Sequence, residues 1–278
     1  MHMQDFNVLF VVWRECIEAL LVIGILNAWL SQRPASERHS GKRWLWSGVA
    51  VGIVGAIALA TLLLRVGDAL GSDGQEYFQT AIVLIAAALI VQMVFWMRRR
   101  GRTLKADLHK SLSEAADRSQ WLSVFVLAAV AVLREGSEAA VFLYGTMAGV
   151  SASNYAAAVA AVLGIVAALA TYWLLQIGSK LLSWRIFFRV TEVMLLFLAA
   201  SLLLTGIDHL LSLGFLPPLS RTLWDTSSVL PDSGMLGGLI SGLTGYRARP
   251  VMIELLVFMV YWMTMAWLLY QPRTARRA

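Results

Sequence analysis

Two short stretches of sequence decide the fold: WRECIEALL at Trp13–Leu21 and LREGSEAAV at Leu133–Val141. Each places one arginine and two glutamates, in the pattern R-E-x-x-E, inside a long run of apolar residues. An isolated charge at the centre of a lipid bilayer costs roughly 2.5–3.5 kcal/mol on insertion scales. Charged residues inside a membrane therefore face a partner or a wet cavity, and they mark functional positions.

The composition is that of a protein that crosses a membrane several times. Of the 278 residues, 59% are hydrophobic and 14% are charged, which is about half the charged fraction of an average soluble domain. The net charge is +6, but the basic residues cluster between apolar runs, which favours a topology signal over nucleic-acid binding. A single cysteine, Cys16, excludes a disulfide framework or a multi-cysteine metal site within one chain.

Seven apolar runs are long enough to cross a bilayer as helices. They predict an all-α integral membrane protein with seven transmembrane helices. The runs lie at Phe6–Leu30, Trp44–Val66, Tyr77–Met97, Trp121–Val150, Tyr155–Ile177, Ile186–Ile207 and Val251–Tyr270. The N-terminal residues lack the basic segment and cleavage site of a signal peptide, so we interpret the first run as a retained span.

The distribution of basic residues orients these helices. Most of the 23 lysines and arginines fall into four groups on one side of the predicted membrane. The groups are Arg33, Arg38, Lys42 and Arg43; the seven basic residues from Arg98 to Arg118; Lys180, Arg185 and Arg189; and Arg273, Arg276 and Arg277. Because cytoplasmic loops carry the excess of Lys and Arg, we expect a periplasmic N-terminus and a cytoplasmic C-terminus.

The two motifs indicate an internal repeat. They are related residue by residue, displaced by 120 positions: Arg14, Glu15 and Glu18 return as Arg134, Glu135 and Glu138. From the start of the first motif helix to the start of the second, the chain crosses the membrane three times. The second copy therefore enters the membrane in the opposite sense. Glu76 and Glu192 form a second, weaker pair. The sequence thus predicts two inverted three-helix repeats, a plan found in many secondary transporters, followed by a seventh helix.

The predicted parts make up one transmembrane permease domain over residues 1–278. In order they are repeat one at about 1–97, a cytoplasmic loop at 98–120, repeat two at about 121–207, a periplasmic loop at 208–250 and the seventh helix at 251–270. Within the periplasmic loop, Met235–Leu243 is expected to form a short amphipathic helix.

The charged residues of each motif share one helical face, because each residue of an α-helix turns by about 100°. Cys16, Gly136 and Ser137 fall off that face. The favourable arrangement packs spans one and four together with both acidic faces inward. Two arginines and four glutamates then sum to two negative charges, which a divalent cation would balance. Carboxylate oxygens suit Mg²⁺, Ca²⁺, Mn²⁺ and iron, and the alternative is a set of purely structural salt bridges, such as Arg14 with Glu18.

At these residues the chain resembles the oxidase-dependent iron transporter family, the high-affinity iron permeases of fungi and their bacterial ferrous-iron relatives. The shared features are R-E-x-x-E at Arg14–Glu18 and Arg134–Glu138, LWDTS at Leu223–Ser227 and GYRARP at Gly245–Pro250. Cys16 replaces the glycine that usually follows the first glutamate of the motif. The likeness extends over nearly the whole chain.

The resemblance implies iron import across the bacterial cytoplasmic (inner) membrane and no enzymatic activity. It implies that the motif glutamates bind the metal, namely Glu15, Glu18, Glu135 and Glu138, with Arg14 and Arg134 supporting them. Iron is then a substrate, and no cofactor is bound permanently. The implied partners are membrane lipid, a periplasmic iron-binding protein, and a cupredoxin or haem peroxidase that handles the oxidation state of the metal.

Other residues are candidates for secondary roles. Glu76 and Glu192 are candidate relay sites at the two mouths, although Glu192 has Arg189 nearby as a structural partner. The methionines scattered through the spans, including Met93, are interpreted as packing residues, although a soft-metal path would also use them.

The periplasmic loop carries two further candidates. Trp224 and Asp225 are candidate docking residues for a partner protein, and the alternative for Trp224 is an anchor at the membrane surface. Glu254 is expected to play a structural role with Arg247 or Arg249 as partner.

Two other functions remain open from the residues alone. A carrier of another hard divalent cation such as Mn²⁺ would use the same oxygen ligands. An intramembrane lipid-diphosphate phosphatase would need a nucleophile on the acidic face, and Ser137 points away from that face.

Overall fold

The computed structural model describes residues 3–100, 121–147, 154–177, 184–216, 222–231 and 235–270. These residues form eight α-helices, and their only β-pairing is an isolated bridge between Thr222 and Val251. The helices are α1 Met3–Ser31, α2 Ala35–Ala69, α3 Ser72–Arg100, α4 Trp121–Met147, α5 Asn154–Ile177, α6 Trp184–Ser212, α7 Met235–Thr244 and α8 Met252–Tyr270.

Each of the seven predicted apolar runs coincides with a long helix, and α7 confirms the predicted short helix of the loop before α8. Parts of the predictions lie outside the described residues. These are most of the cytoplasmic loop, the end of the fourth run, the basic turn before α6 and the C-terminal tail, at 101–120, 148–150, 178–183 and 271–278.

The segment after α1 differs from the prediction. Its basic residues were expected in a loop, but α2 begins at Ala35 rather than Trp44. Pro34 has extended backbone angles at the N-cap, its carbonyl accepts the amide of Glu37 at 3.0 Å, and the acidic Glu37 favours a helix N-terminus. Hydropathy detects only the apolar part of such a helix. Arg38, Lys42 and Arg43, which were predicted in the loop, therefore lie in α2.

Within the described residues, five helices are long and apolar enough to cross a membrane. They contain the segments Glu37–Ala69, Asp73–Phe95, Ala156–Gln176, Arg189–Ser212 and Met252–Tyr270. The two motif helices, α1 and α4, are 29 and 27 residues long, but each carries three charged side chains near its middle. Large apolar side chains on α2 and α5 are open to the surroundings, as at Val54 and Trp173, which are 66% and 65% exposed. The protein is therefore a multi-pass membrane protein.

Helix packing brings the two motifs together. The helix α1 packs against α4 and α5, while α4 packs against α1, α2 and α3. Small residues allow the closest approaches. A methyl group on Gly52 of α2 would lie 2.9 Å from the carbonyl oxygen of Ala129 in α4, and one on Gly164 of α5 would lie 2.8 Å from that of Leu9 in α1.

A second set of contacts closes the bundle. The helix α3 packs against α6, and α7 and α8 both contact α6. The apolar side chains of α3, α6 and α8 form the main core with those of α1 and α4, including Phe10, Ile90, Phe142, Leu198 and Tyr261. The short helix α7 also contacts α1. Most of α1 is thereby enclosed by other helices, whereas α4 keeps one apolar stripe open to the surroundings, as at Leu122, Val126 and Val130.

Candidate metal centre

The first motif places a buried arginine between its own two glutamates. Arg14 is 1% exposed. Its Nη1 donates to Glu15 Oε1 at 2.6 Å, and its Nη2 donates to Glu18 Oε1 at 2.5 Å. The same Nη2 lies 2.6 Å from the sulfur of Met93 in α3. Burial without these partners would leave an uncompensated charge, so the contacts explain how α1 tolerates the motif.

The second motif brings a third carboxylate to this place. Glu135 of α4 is 8% exposed. One carboxylate oxygen from each of Glu15, Glu18 and Glu135 lies within 4.8 Å of the other two. We call these three residues the carboxylate cluster. Their mutual distances are those at which a single cation can bind oxygens from two helices.

The fourth predicted glutamate is held differently. Arg134 Nε donates to Glu138 Oε1 at 3.0 Å, and the Arg134 side chain is 37% exposed. The two motifs thus have the same sequence pattern but different charge balance. In α1 the arginine is buried against both glutamates, whereas in α4 it lies nearer the surface and pairs with Glu138.

Three buried carboxylate oxygens have no hydrogen-bond partner among the described residues. They are Oε2 of Glu15, Glu135 and Glu138. A buried acceptor left unsatisfied costs about 1–3 kcal/mol, and more when the group is charged. Side chains with unused oxygens that converge in a buried place are chemically suited to a cation, which would supply the missing partner.

The residues between the charged ones pack against neighbouring helices, as their angular position predicts. A methyl group on Gly136 would meet the side chain of Ala56 in α2. Cys16 packs against the cluster formed by Ile17 and Ala168. The Ser137 hydroxyl donates to the Leu133 carbonyl of its own helix at 2.6 Å. These residue types let each motif helix approach its neighbour while the acidic face turns inward.

The candidate relay residues lie outside the carboxylate cluster, at opposite ends of the α3–α6 pair. Glu76, near the start of α3, accepts a hydrogen bond from Ser212 Oγ at the end of α6, at 2.8 Å. Glu192, near the start of α6, forms an ion pair with Arg98 near the end of α3. Sequence reasoning named Arg189 as the neighbour of Glu192. The observed partner comes from α3 because the two helices run antiparallel, which places the end of each beside the start of the other.

The candidate docking residues form part of an ordered loop. Trp224 is 45% exposed. Asp225 accepts hydrogen bonds from the hydroxyl and the amide of Ser227 and pairs with Arg249 at 2.9 Å. These contacts, with the hydroxyl of Ser227 first, lower the pKa of Asp225 to about 2. Its carboxylate therefore stays ionised, and the ion pair stays intact, through the neutral and mildly acidic range.

A polar network fastens this loop to the helices. Arg247 donates to Asp208 Oδ2 at 2.7 Å and lies 3.8 Å from Glu254 Oε1. Glu254 Oε2 also accepts the amide of Val251 at 2.8 Å. The expected structural pairing of Glu254 with Arg247 is thus present. Arg247 of the loop thus contacts α6 through Asp208 and α8 through Glu254.

Sequence reasoning assigned no site role to two of these residues. Met93 was interpreted as packing, and Arg98 as one of many cytoplasmic basic residues. The observed contacts of Met93 and Arg98 are with residues of other helices, so they depend on which helices lie side by side. The spacing of Met93 within α3 matches that of its buried neighbours Ile90 and Val94, so no pattern in the sequence distinguishes it from them.

Comparisons with known proteins identify the family to which the chain belongs. Residues 5–271 match the iron permease FTR1 family. The ferrous iron permease EfeU of Yersinia pseudotuberculosis is 27% identical over 264 residues, which cover 93% of this chain and 90% of that protein. The ferrous iron permease EfeU of Escherichia coli O6:H1 is 27% identical over 257 residues, covering 90% of each chain. No solved structure matches the chain. Because the family match spans nearly the whole chain, the protein belongs to the iron permease FTR1 family, a family of iron transporters rather than enzymes.

Proposed function

We propose that this protein imports iron across the bacterial cytoplasmic membrane and that the ion passes through the carboxylate cluster, with Glu138 as a further ligand. The observation that carries the proposal is the convergence of Glu15, Glu18 and Glu135, whose oxygens lie within 4.8 Å of one another inside a helical membrane protein. Iron is the substrate of this site and not a resident cofactor.

The excess negative charge of the motif residues suits the site to a divalent cation. The four motif glutamates exceed the two motif arginines by two negative charges. A divalent cation would neutralise that excess and satisfy the buried oxygens. A membrane potential that is negative inside favours the arrival of such an ion by about 2.3 kcal/mol per charge for each 100 mV. Carboxylates on separate helices also allow release, since a small movement between α1 and α4 would separate the ligands.

We further propose that the chain crosses the membrane seven times as two inverted three-helix repeats and a seventh helix. Matching close contacts support the repeat. Gly52 of α2 approaches Ala129 of α4 as Gly164 of α5 approaches Leu9 of α1. Leu9 and Ala129 are 120 positions apart, the same displacement as the two motifs. The two helices of each contact thus correspond in the repeat.

The neighbours of the motifs follow the same relation. Gly136 meets Ala56, and Cys16 packs against the cluster containing Ala168. Ala56 and Ala168 have the same displacement as Gly52 and Gly164. Gly136 and Cys16 thus occupy corresponding positions, one against Ala56 and the other against the cluster that contains Ala168.

Glu76 and Glu192 are proposed as relay sites on either side of the carboxylate cluster. They occupy corresponding positions in the two repeats, and each is tied to the far end of the partner helix, by Ser212 and Arg98 respectively. An ion leaving the cluster would meet Glu192 if the N-terminus of α1 is periplasmic, as the basic residues indicate.

The loop from 208 to 250 is proposed as the docking place for periplasmic partners, an iron-binding protein and a cupredoxin or peroxidase. The support is the exposed Trp224 beside the ordered Asp225–Arg249 ion pair. Aromatic side chains and arginines are frequent anchors of protein interfaces.

A Mn²⁺ carrier would use the same oxygens, and competition between metals separates that function from iron transport. The phosphatase alternative has less support, because the family is one of transporters. In addition, the Ser137 hydroxyl donates to its own helix instead of facing the glutamates.

Iron uptake by the purified protein in liposomes tests the proposal. Radiolabelled Fe²⁺ held under reductant is compared with Fe³⁺ held by a weak chelator. We expect uptake that is lost in Glu135→Ala and kept in Glu37→Ala, which removes an exposed glutamate at the start of α2. Equal uptake by the two variants would show that the cluster does not carry the ion. Silence of the wild-type protein with both ions, relieved by a periplasmic oxidase partner, would assign transport to the complex.

A further inference from the structure

Among the described side chains of α3, the sulfur of Met93 lies at the metal centre. It lies 2.6 Å from Arg14 Nη2, and that nitrogen lies 2.5 Å from Glu18 Oε1. The Met93 sulfur is therefore within about 5 Å of a carboxylate oxygen of the cluster. Arg14 Nη2 lies between the two, where a cation that bridged Glu18 and Met93 would lie.

Met93 lies on the buried apolar face of α3. Met93 is 2% exposed, and its neighbours on the inward face of α3, Ile90 and Val94, are fully buried. Leucine has nearly the same volume and would fill this space, and such volume-conserving apolar swaps are well tolerated in protein interiors. A packing role therefore predicts that Met93→Leu has no effect on metal binding, whereas a ligand role predicts a specific effect.

A sulfur ligand would change the metal preference of the carboxylate cluster. Carboxylate oxygens alone bind Mg²⁺, Ca²⁺ and Mn²⁺ as well as iron. A thioether is a soft ligand that hard cations do not favour. Oxygen and thioether ligands together favour a borderline divalent ion such as Fe²⁺ over Mg²⁺ and over the harder Fe³⁺.

We propose that Met93 is a thioether ligand of the transported ion and makes the carboxylate site selective for ferrous iron. This inference rests on the proposed function and names the oxidation state that it leaves open. Binding requires Arg14 Nη2 to move aside, while Nη1 can keep its contact with Glu15.

Competition by a soft, redox-inert cation tests the ligand role. Uptake of radiolabelled Fe²⁺ under reductant is measured against increasing Cd²⁺ or Mg²⁺. The variant is Met93→Leu. The matched control is Met194→Leu, which changes a partly buried methionine of α6 that packs against the main core. We expect the Cd²⁺ concentration for half-inhibition to rise at least about tenfold in Met93→Leu, the lower end of what losing a supporting contact costs a metal site. Inhibition by Mg²⁺, and all values for Met194→Leu, should match the wild type.

A spectroscopic measurement covers the case in which Met93→Leu fails to fold. X-ray absorption of Cd²⁺ bound to the Cys16→Ser variant, which keeps Met93, should show a sulfur neighbour. An oxygen-only shell, or unchanged Cd²⁺ inhibition in a folded Met93→Leu protein, would overturn the proposal.

The Glu135→Ala variant separates the two claims. Loss of Fe²⁺ uptake in Glu135→Ala with unchanged Cd²⁺ inhibition in Met93→Leu contradicts the ligand role alone. Full Fe²⁺ uptake in Glu135→Ala contradicts the carboxylate site itself.

Discussion

At the scale of single residues, the two copies of R-E-x-x-E have different environments. Arg14 is fully enclosed and contacts Glu15 and Glu18, whereas Arg134 is 37% exposed and pairs with Glu138. A buried charge that loses its partner is strongly destabilising, while a partly exposed one is compensated by solvent or lipid headgroups. The same motif therefore makes one structural and one more accessible ion pair.

This difference predicts unequal effects of neutralising the two arginines. Arg14→Gln leaves two buried glutamates without a counter-charge and should lower the free energy of unfolding by about 3–5 kcal/mol. Arg134→Gln should lower it by less than about 1 kcal/mol, since the pair is partly exposed. Thermal unfolding of the purified variants in detergent measures both values. Equal losses would contradict the asymmetry.

At the scale of helices, close contacts through glycine set the distance between the motif helices and their neighbours. Gly52 and Gly164 each face a backbone carbonyl, and a backbone atom cannot move aside as a flexible side chain can. The same contacts hold the acidic faces of α1 and α4 inward. Helix packing and site geometry therefore depend on each other.

Replacing these glycines by alanine tests that dependence. In open space a helical Gly→Ala change stabilises by about 1 kcal/mol, but overpacking costs about 1–3 kcal/mol. We expect Gly52→Ala and Gly164→Ala to lower the midpoint of thermal unfolding. The helical control is Gly145→Ala, whose methyl group would have its nearest neighbour at an ordinary 3.4 Å. A rise in all three midpoints would show that these contacts are looser than described.

The comparison of sequence with structure also belongs to this scale. The charged motifs predicted which faces of α1 and α4 turn inward, because a charge that faced lipid would be costly whichever helices lie beside it. The pairing of Arg98 with Glu192 was not predictable, because it depends on α3 lying beside α6. The contact between Met93 and Arg14 was not predictable either, because it depends on α3 lying beside α1. The start of α2 was missed because its first turns are polar and hydropathy detects apolar residues.

At the scale of the whole molecule, the proposed orientation gives the transport its direction. It places the loop with Trp224 in the periplasm and the start of α2 in the cytoplasm. Two exposed serines in the described part of the chain report on these places, Ser228 in the loop and Ser40 in α2.

Cysteine labelling tests the orientation. In a Cys16→Ala background, Ser228→Cys should react with a membrane-impermeant maleimide in spheroplasts, and Ser40→Cys should react only after lysis. The prediction follows from the excess of basic residues near Ser40. The reverse pattern of labelling would invert the proposed topology and with it the direction of transport.

The central claim is that iron binds between the two motif helices. Anomalous X-ray diffraction at the iron absorption edge, from crystals grown anaerobically with Fe²⁺, locates the ion directly. The account predicts a peak enclosed by the carboxylates of Glu15, Glu18 and Glu135. A peak elsewhere, for example beside Asp208 and Glu254 at the loop, with none in the cluster, would contradict it.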